Sequence, residues 1–423
     1  MSVGASELTV PSSERIAYLD MAIRSVLFVY IVVLPFKALL VVERTAFLIL
    51  LGLLAFWCLF NRKLFYVRTP FDPPLAVFIL WVGLTIPFSV FPEYSLKEYG
   101  KLLQWVTVFY AVIHFFGEQP YRAILVSLLV LMTFVVTAYG LTQFNLSSPQ
   151  RIVASFSAEV WLTTFLVMMI PFGLASSLLR DGPAVVKRAG AIVTILAGLC
   201  LLSTQSRAGL VAFLAELLAM AWVVRSRLAM VVSGSVMILL LTAILIAFTV
   251  KTSGSSVEGQ NSIPVKTGIE TVVHRLDIWR FTLSEIARHW LVGIGYGGQT
   301  YSLLYGGERE TVAPGHTSVK ATGTHNILLY LSLHVGLIGM ALFAWFYFSA
   351  VRTTFQEYSG AVDWISKIVL SGAVGSMVGL FVRLQFDQMF VGSLAILFWV
   401  LLATAVLHYP SYRRAAAACP ASG

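Results

Sequence analysis

Two short basic stretches of the sequence could bind an anion. In LSTQSRAGL, Arg207 follows Ser206 and other polar residues, so several hydrogen-bond donors would surround one guanidinium at the start of a helix. Arg275 and Arg280 lie on opposite flanks of a helical segment, residues 272–291. Each arginine also has an ordinary interpretation, as an anchor at the membrane interface or as one partner of a surface ion pair.

A histidine and an acid could handle a proton. His325 and Asn326 open an apolar helix in GTHNILLYLSLHVG, and a histidine there can titrate near neutral pH and act as a general base. Helix capping is the alternative. Asp387, in RLQFDQMF, could pair with Arg383 or orient an arginine. Two arginines and one base, without a metal, suit a substrate with a phosphate or diphosphate leaving group.

The amino-acid composition indicates that most of this chain is surrounded by lipid. Of the 423 residues, 58% are hydrophobic and 12% are charged, whereas a soluble domain has about 25% charged residues. The sequence therefore predicts a polytopic membrane protein and excludes a disordered chain, a repeat solenoid or an ordinary cytosolic enzyme. The net charge of +9 is interpreted as membrane anchoring, and no nucleic-acid partner is predicted.

The apolar runs predict an all-α bundle of about twelve transmembrane helices. They lie near residues 21–40, 45–60, 73–91, 99–116, 122–142, 156–179, 188–205, 208–224, 228–250, 325–350, 364–383 and 389–408. An even number places both termini on one side of the membrane. With the termini in the cytoplasm, Lys and Arg are about twice as frequent in the inside segments as in the short outside loops.

One long segment, residues 251–324, is predicted to lie outside the membrane, on its outer side in this topology. Three parts follow: residues 1–250 as a bundle of about nine spans, 251–324 as a periplasmic loop with amphipathic helices, and 325–423 as the last three spans and a cytoplasmic tail. Within the loop, Leu276, Trp279, Leu283, Ile286, Ala287 and Trp290 form one apolar stripe. This charged helix is expected at the interface or over the bundle mouth. The topology places Arg207, Arg275 and His325 on one membrane face.

Several chemistries have no signal in the sequence. There is no P-loop, no Rossmann glycine set, no Ser-His-Asp spacing and no metal-binding spacing of His, Cys and acidic residues. Neither a cofactor nor a metal is predicted.

Three motifs in order resemble one family. SRAGL (206–210), HRLDIWRFTLSEIARHWLVGIGYGG (274–298) and THNILLYLSLHVGLIG (324–339) look like the O-antigen ligase/O-antigen polymerase superfamily. The resemblance implies a GT-C-type glycosyltransferase at the periplasmic face of a bacterial inner membrane. It would move a glycan from undecaprenyl diphosphate to an acceptor, which in the ligase branch is a sugar of the lipid A–core oligosaccharide.

The resemblance also implies residue roles. By matching of the motifs, His325 would be the general base, with inversion at the anomeric carbon. Arg207 and Arg275 would bind the diphosphate, Arg280 is a second candidate for the contact made by Arg275, and Ser206, Asn326 and Asp387 would support them. The late position of the long loop favours a ligase over a polymerase. A chain of this size, without a predicted C-terminal soluble domain, looks less like a protein glycosyltransferase. A lipid-linked-sugar transporter is the alternative of a different class.

Overall fold

The computed structural model describes residues 12–145, 150–179, 181–225, 231, 234–235, 268–306, 323–388 and 390–418. This part of the chain contains helices and no strands, which confirms the predicted all-α class. The helices are α1 (Ser12–Val33), α2 (Leu40–Asn61), α3 (Asp72–Thr85), α4 (Pro92–Phe115), α5 (Gln119–Thr142), α6 (Glu159–Leu178), α7 (Ala184–Ser203), α8 (Arg207–Val224), α9 (Gly268–Arg288), α10 (Thr300–Tyr305), α11 (Ile327–Gly360), α12 (Trp364–Arg383), α13 (Gly392–Leu407) and α14 (Pro410–Ala418).

Eight helical segments in the described residues are long and apolar enough to cross a membrane, and two apolar ones are shorter. The protein is therefore a multi-pass membrane protein. The eight lie in α1, α2, α5, α6, α7, α8, α11 and α12, and the shorter ones are Asp72–Phe88 and Gly392–Leu407. Helix α4 has the length, but charged residues occupy its first turns. The predicted run near 228–250 lies almost wholly outside the described residues, so the number twelve stays a prediction.

Side-chain and backbone contacts define two ends of the bundle. At one end, the Ser155 hydroxyl donates to the Pro35 carbonyl, and the Ile327 amide donates to the Leu384 carbonyl. This end, called the His325 end, gathers the starts of α6, α8 and α11 and the end of α12. At the opposite end, Arg122 donates to the Leu407 carbonyl. The N-terminal half of α1 and helix α14 lie towards this opposite end.

Small residues allow α12 to pack closely against α6 and α8. A Cβ on Gly372 would lie 2.7 Å from the Phe172 ring, and a Cβ on Gly379 would lie 2.1 Å from Glu216 Oε1. Small residues at helix interfaces permit such close approach, as is common in membrane bundles. The Glu216 side chain is fully enclosed, and neither carboxyl oxygen has a hydrogen-bond partner in the described part of the chain.

The loop after α9 enters the bundle at a kink in α11. Val335 and Gly336 have non-helical dihedral angles, which frees backbone groups on both sides of the kink. The Ile294 and Gly295 amides donate to the Leu333 and His334 carbonyls at 2.8 and 3.0 Å. In return, the Leu337 amide donates to the Trp290 carbonyl at 2.8 Å. We call this set of backbone bonds the loop joint.

Glycine is required on both sides of the loop joint. Gly293 and Gly336 both have φ of +75°, in the left-handed region. A Cβ on Gly336 would lie 1.9 Å from the Leu291 carbonyl oxygen, and one on Gly293 would lie 2.4 Å from the His334 carbonyl carbon.

Helix α9 forms as expected, but most of its apolar stripe does not face the bundle. The buried positions are Ile278, Thr282, Glu285 and Ile286. Of the predicted stripe only Ile286 is among them, whereas Leu283 and Trp290 are 55% and 54% exposed. The stripe therefore remains available to a lipid surface, as an interfacial helix requires.

Candidate active site

A strained turn presents His325 at the mouth of the bundle. Gly323 and His325 both have positive φ, +82° and +48°, and a non-glycine residue in that region is uncommon. The turn ends at Asn326, whose side chain accepts hydrogen bonds from the Leu328 and Leu329 amides and so caps α11. His325 thus stands just before the helix, with its side chain 30% exposed.

Three side chains from two distant segments meet at this turn. His325 Nδ1 lies 3.1 Å from Asp387 Oδ1, and Asp387 Oδ2 lies 3.6 Å from Arg383 Nη2. An ionised carboxylate only accepts hydrogen bonds, so the proton of the neutral imidazole must be on Nδ1. His325 Nε2 then carries the free lone pair, which is the arrangement that a general base needs.

The surroundings of Asp387 keep it ionised. Burial alone would raise the pKa of its carboxyl group. The hydrogen bond from His325 and the positive charges of Arg383 and Arg275 outweigh burial and hold the pKa of Asp387 below its usual value. An ionised Asp387 can accept a hydrogen bond from His325 and also form an ion pair with Arg383.

Arg383 is a buried cation at the centre of this group. Its side chain is 1% exposed, and its Nε and Nη1 atoms have no hydrogen-bond partner among the described residues. Arg275 and Glu159 lie within electrostatic range of it. Burying a charge with unused donors is costly, and such groups concentrate at functional sites.

The structure separates the two arginines of α9. Arg275 acts electrostatically on both Asp387 and Arg383, and no hydrogen bond or ion pair is formed by its guanidinium in the described ranges. Arg280 is 80% exposed and pairs with Asp277 at 3.3 Å. Only Arg275 joins the group around Asp387.

Arg207 lies at the same end of the bundle but apart from this group. Ser206 is the N-cap of α8 and accepts a hydrogen bond from the Gly209 amide at 3.1 Å, so Arg207 is the first helical residue. The Thr163 hydroxyl donates to the Thr204 hydroxyl at 3.2 Å, which fixes this turn against α6. Arg207 is exposed, and within the described residues no hydrogen bond or ion pair joins it to His325 or Asp387.

Several residues that hold the site together were not predicted. The Trp279 indole donates to the Thr324 carbonyl at 3.2 Å, and the Thr324 hydroxyl donates to Gln388 Oε1 at 2.8 Å. The Asn326 amide donates to Gln385 Oε1 at 3.2 Å. The only signal in the sequence is the polar string RLQFDQ between two apolar runs. Within the described residues, no three His, Cys, Asp or Glu side chains cluster closely enough to hold a metal ion.

Comparison with known families bears directly on this site. Residues 192–344 match the family model described as O-antigen ligase. The matched segment contains Arg207, Arg275 and His325, in the order that the sequence motifs gave. This match, over about a third of the chain, supports membership in the O-antigen ligase superfamily. No curated protein matches the chain.

The match to the O-antigen ligase model confirms the resemblance found in the sequence. The superfamily consists of O-antigen ligase- and polymerase-type glycosyltransferase-like enzymes, whose partners in general are lipid-linked glycans and lipid A–core. The match ends at residue 344, before Arg383 and Asp387. These two residues enter the candidate site through the fold, because α12 ends beside the start of α11.

Proposed function

We propose that this protein is an O-antigen ligase. It transfers a glycan from undecaprenyl diphosphate to a hydroxyl group of the lipid A–core oligosaccharide, at the periplasmic face of the bacterial inner membrane. The observation that carries this proposal is the His325–Asp387 contact beside Arg275 and Arg383, within a member of the O-antigen ligase superfamily.

The proton moves through His325. Nε2 accepts the proton of the acceptor hydroxyl as its oxygen attacks the anomeric carbon of the donor sugar. The bond between that carbon and the diphosphate oxygen breaks, and its electron pair leaves with the diphosphate. Attack opposite the leaving group inverts the anomeric centre. Asp387 holds the ring in the required tautomer and stabilises the imidazolium that forms.

The arginines bind the leaving group. Arg275 is the loop arginine that contacts the diphosphate, since it is near Asp387 while Arg280 pairs with Asp277. Arg207, exposed at the first position of α8, supplies a second guanidinium beside a helix N-terminus. Guanidinium groups bind phosphate oxygens in paired hydrogen bonds, which strengthen as charge develops on the leaving group.

The test is a reconstituted reaction. Purified protein is mixed with glycan-linked undecaprenyl diphosphate and lipid A–core, and the products are separated by gel electrophoresis. Wild type should place glycan on the core, and His325→Ala should not. His289→Ala is the matched control, because His289 follows α9 and lies outside the group around Asp387. Equal activity in His325→Ala and His289→Ala would disprove the base assignment.

The same reaction separates the other candidates. Longer lipid-linked chains with an unmodified core would identify a polymerase of the same superfamily. Relocation of the donor across the bilayer without transfer would identify a transporter. Transfer is expected to continue in EDTA, and a loss of activity that Mg²⁺ restores would contradict the proposed metal independence.

A further inference from the structure

Two adjoining cavities lie at the end of the bundle opposite His325. The larger, of about 630 Å³, is an apolar groove between α5, α6, α7 and α12. The smaller, of about 140 Å³, is lined by polar side chains that include Arg122, Asp363, His408 and Arg413, and we call it the basic pocket. Ala123, Trp364 and Ile365 line both cavities, so the two adjoin each other.

The apolar groove opens to the side of the bundle, towards lipid. Its lining residues Val185, Ile192 and Leu131 are 75%, 55% and 57% exposed on the outer surface of α7 and α5. Its floor is formed by residues of α6 and α12, the most buried spans of the bundle. A groove of this kind fits hydrocarbon chains that enter from the membrane.

The basic pocket holds an arginine with an unused donor. Arg122 Nη1 donates to the Leu407 carbonyl at 3.1 Å, which fixes the guanidinium. Arg122 Nε is buried and has no hydrogen-bond partner in the part of the chain that the structure describes. Arg413 Nη1 lies across the pocket, 2.6 Å from Asp363 Oδ2.

The charge of the basic pocket is positive at neutral pH. Burial lowers the pKa of His408 to about 4, and the positive charge of Arg122 adds to this lowering. The hydrogen bond to the Thr404 carbonyl acts in the opposite direction but is outweighed. This histidine is therefore neutral. Burial would raise the pKa of Asp363, but bonds from the Ser366 amide and Arg413 outweigh it and keep the carboxylate ionised. Two guanidiniums therefore face one carboxylate.

We propose that these joined cavities bind an anionic phospholipid. The acyl chains would occupy the apolar groove, and the headgroup phosphate would lie in the basic pocket beside Arg122 and Arg413. Basic pockets between transmembrane helices on the cytoplasmic side are suited to anionic headgroups. Trp364, which lines both cavities, has the residue type that is enriched at the level where headgroup meets hydrocarbon.

The size and shape favour a phospholipid over a soluble anion. A water molecule takes up about 30 Å³ in the liquid, so the basic pocket has room for a phosphate group. A free phosphate would leave the adjoining 630 Å³ of apolar groove unfilled. The site is at the far end of the bundle from His325, so it is separate from the proposed glycosyl transfer.

The test compares two lipids with the same acyl chains. The full-length protein, delipidated in detergent, is titrated with dioleoylphosphatidylglycerol or dioleoylphosphatidylcholine, and bound lipid is counted by native mass spectrometry. Wild type should prefer phosphatidylglycerol by about tenfold, because both lipids carry the phosphate but the two guanidiniums repel the cationic choline of phosphatidylcholine. Arg122→Gln should abolish this preference. Arg352→Gln is the matched control, because Arg352 is exposed on α11 and lines neither cavity.

A second pair of variants tests the groove itself. Ala123 and Ala184 are both exposed, but only Ala123 lines the cavities. Ala123→Trp should block binding of both lipids, and Ala184→Trp should leave it unchanged. Equal binding of the two lipids by wild type, a preference that survives Arg122→Gln, or normal binding by Ala123→Trp would each overturn the proposal. Displacement of phosphatidylglycerol by equimolar undecaprenyl phosphate would also overturn it, in favour of an isoprenoid lipid.

Discussion

One carboxylate determines which nitrogen of the candidate base is free. Asp387 contacts His325 Nδ1 and has Arg383 on its other side, so it is held ionised and in place. The residue pair is separated by 62 positions in the chain and meets because α12 ends where α11 begins. A buried arginine with unused donors behind the pair adds positive potential where an anionic leaving group would lie.

Asp387→Asn should reduce turnover strongly with little change in KM. The asparagine amide can donate to Nδ1, which would leave the proton on Nε2 and remove the base. The expected loss in kcat is about 10²- to 10⁴-fold. Asp277→Asn, which removes an exposed acid of α9, should be close to wild type. Steady-state kinetics of the reconstituted reaction measures both, and similar kcat values for the two variants would refute the orienting role.

The pH profile tests the same pair in another way. If an imidazole is the general base, the wild-type rate should fall as the pH is lowered from 8 to 5, because a protonated imidazole cannot accept the proton of the acceptor hydroxyl. The pKa of Asp387 is lowered from its usual value near 4, so this carboxylate stays ionised through that range and does not cause the fall. A rate that is flat between pH 5 and pH 8 would argue against His325 as the base.

The variants Arg275→Gln and Arg280→Gln should differ in KM for the lipid-linked donor, although both arginines lie on α9. Arg275 is near Asp387 and Arg383, and its loss should raise KM for the lipid-linked donor by about tenfold or more. Arg280 pairs with Asp277 on the exposed surface, where ion pairs contribute little. Donor titrations with the two variants measure this difference, and equal KM values would exclude Arg275 as the specific contact.

At the scale of single elements, the close packing of α12 against α6 and α8 depends on its glycines. Gly372→Ala places a methyl group 2.7 Å from the Phe172 ring and 3.0 Å from its Cα, so a helix must shift. Overpacking of this kind costs about 1–3 kcal/mol. Gly198→Ala on α7 meets nothing within 4 Å and should be neutral or slightly stabilising. Thermal unfolding in detergent compares them, and equal midpoints would contradict the packing argument.

The helices themselves were largely readable from hydropathy, but their bends and contacts were not. The sequence NILLYLSLHVGLIG indicates one continuous apolar helix, whereas α11 is kinked at Val335 and Gly336. The kink is stabilised by the backbone of residues 290–295, which lie about forty positions earlier in the chain. The stripe of α9 was identified correctly as apolar, but in a membrane protein an apolar face can turn to lipid as well as to protein.

At the scale of the whole molecule, the two ends of the bundle should lie on opposite sides of the membrane. Lys37 is exposed near Ser155 at the His325 end, and Arg414 is exposed in α14 at the opposite end. In a variant without Cys58, Cys200 and Cys419, an impermeant maleimide added to intact spheroplasts should label Lys37→Cys. Arg414→Cys should react only after permeabilisation. The reverse pattern would place His325 in the cytoplasm and contradict the proposed topology.

Three of the candidate site residues could be selected from the sequence, but Arg383 and the contacts among them could not. His325 and Asp387 were selected by residue type and by position at the ends of apolar runs, and Arg275 by its place on the charged loop helix and by its motif. Their pairing depends on the relative rotation of α11 and α12, which hydropathy does not encode. Arg383 looked like an ordinary charge at the end of a span, because its burial follows from tertiary packing alone.

The two connections between α9 and α11 have a consequence for ligand affinity. The Trp279–Thr324 hydrogen bond fixes the middle of α9 beside the histidine turn, and the loop joint fixes the segment just after it. Over this stretch the helix is already ordered before any donor arrives. Binding energy is then not spent on folding this stretch, which is the benefit of preorganisation. A long lipid-linked glycan loses much conformational entropy of its own when it binds. The part of the protein that it meets here loses little more, because this stretch is already ordered.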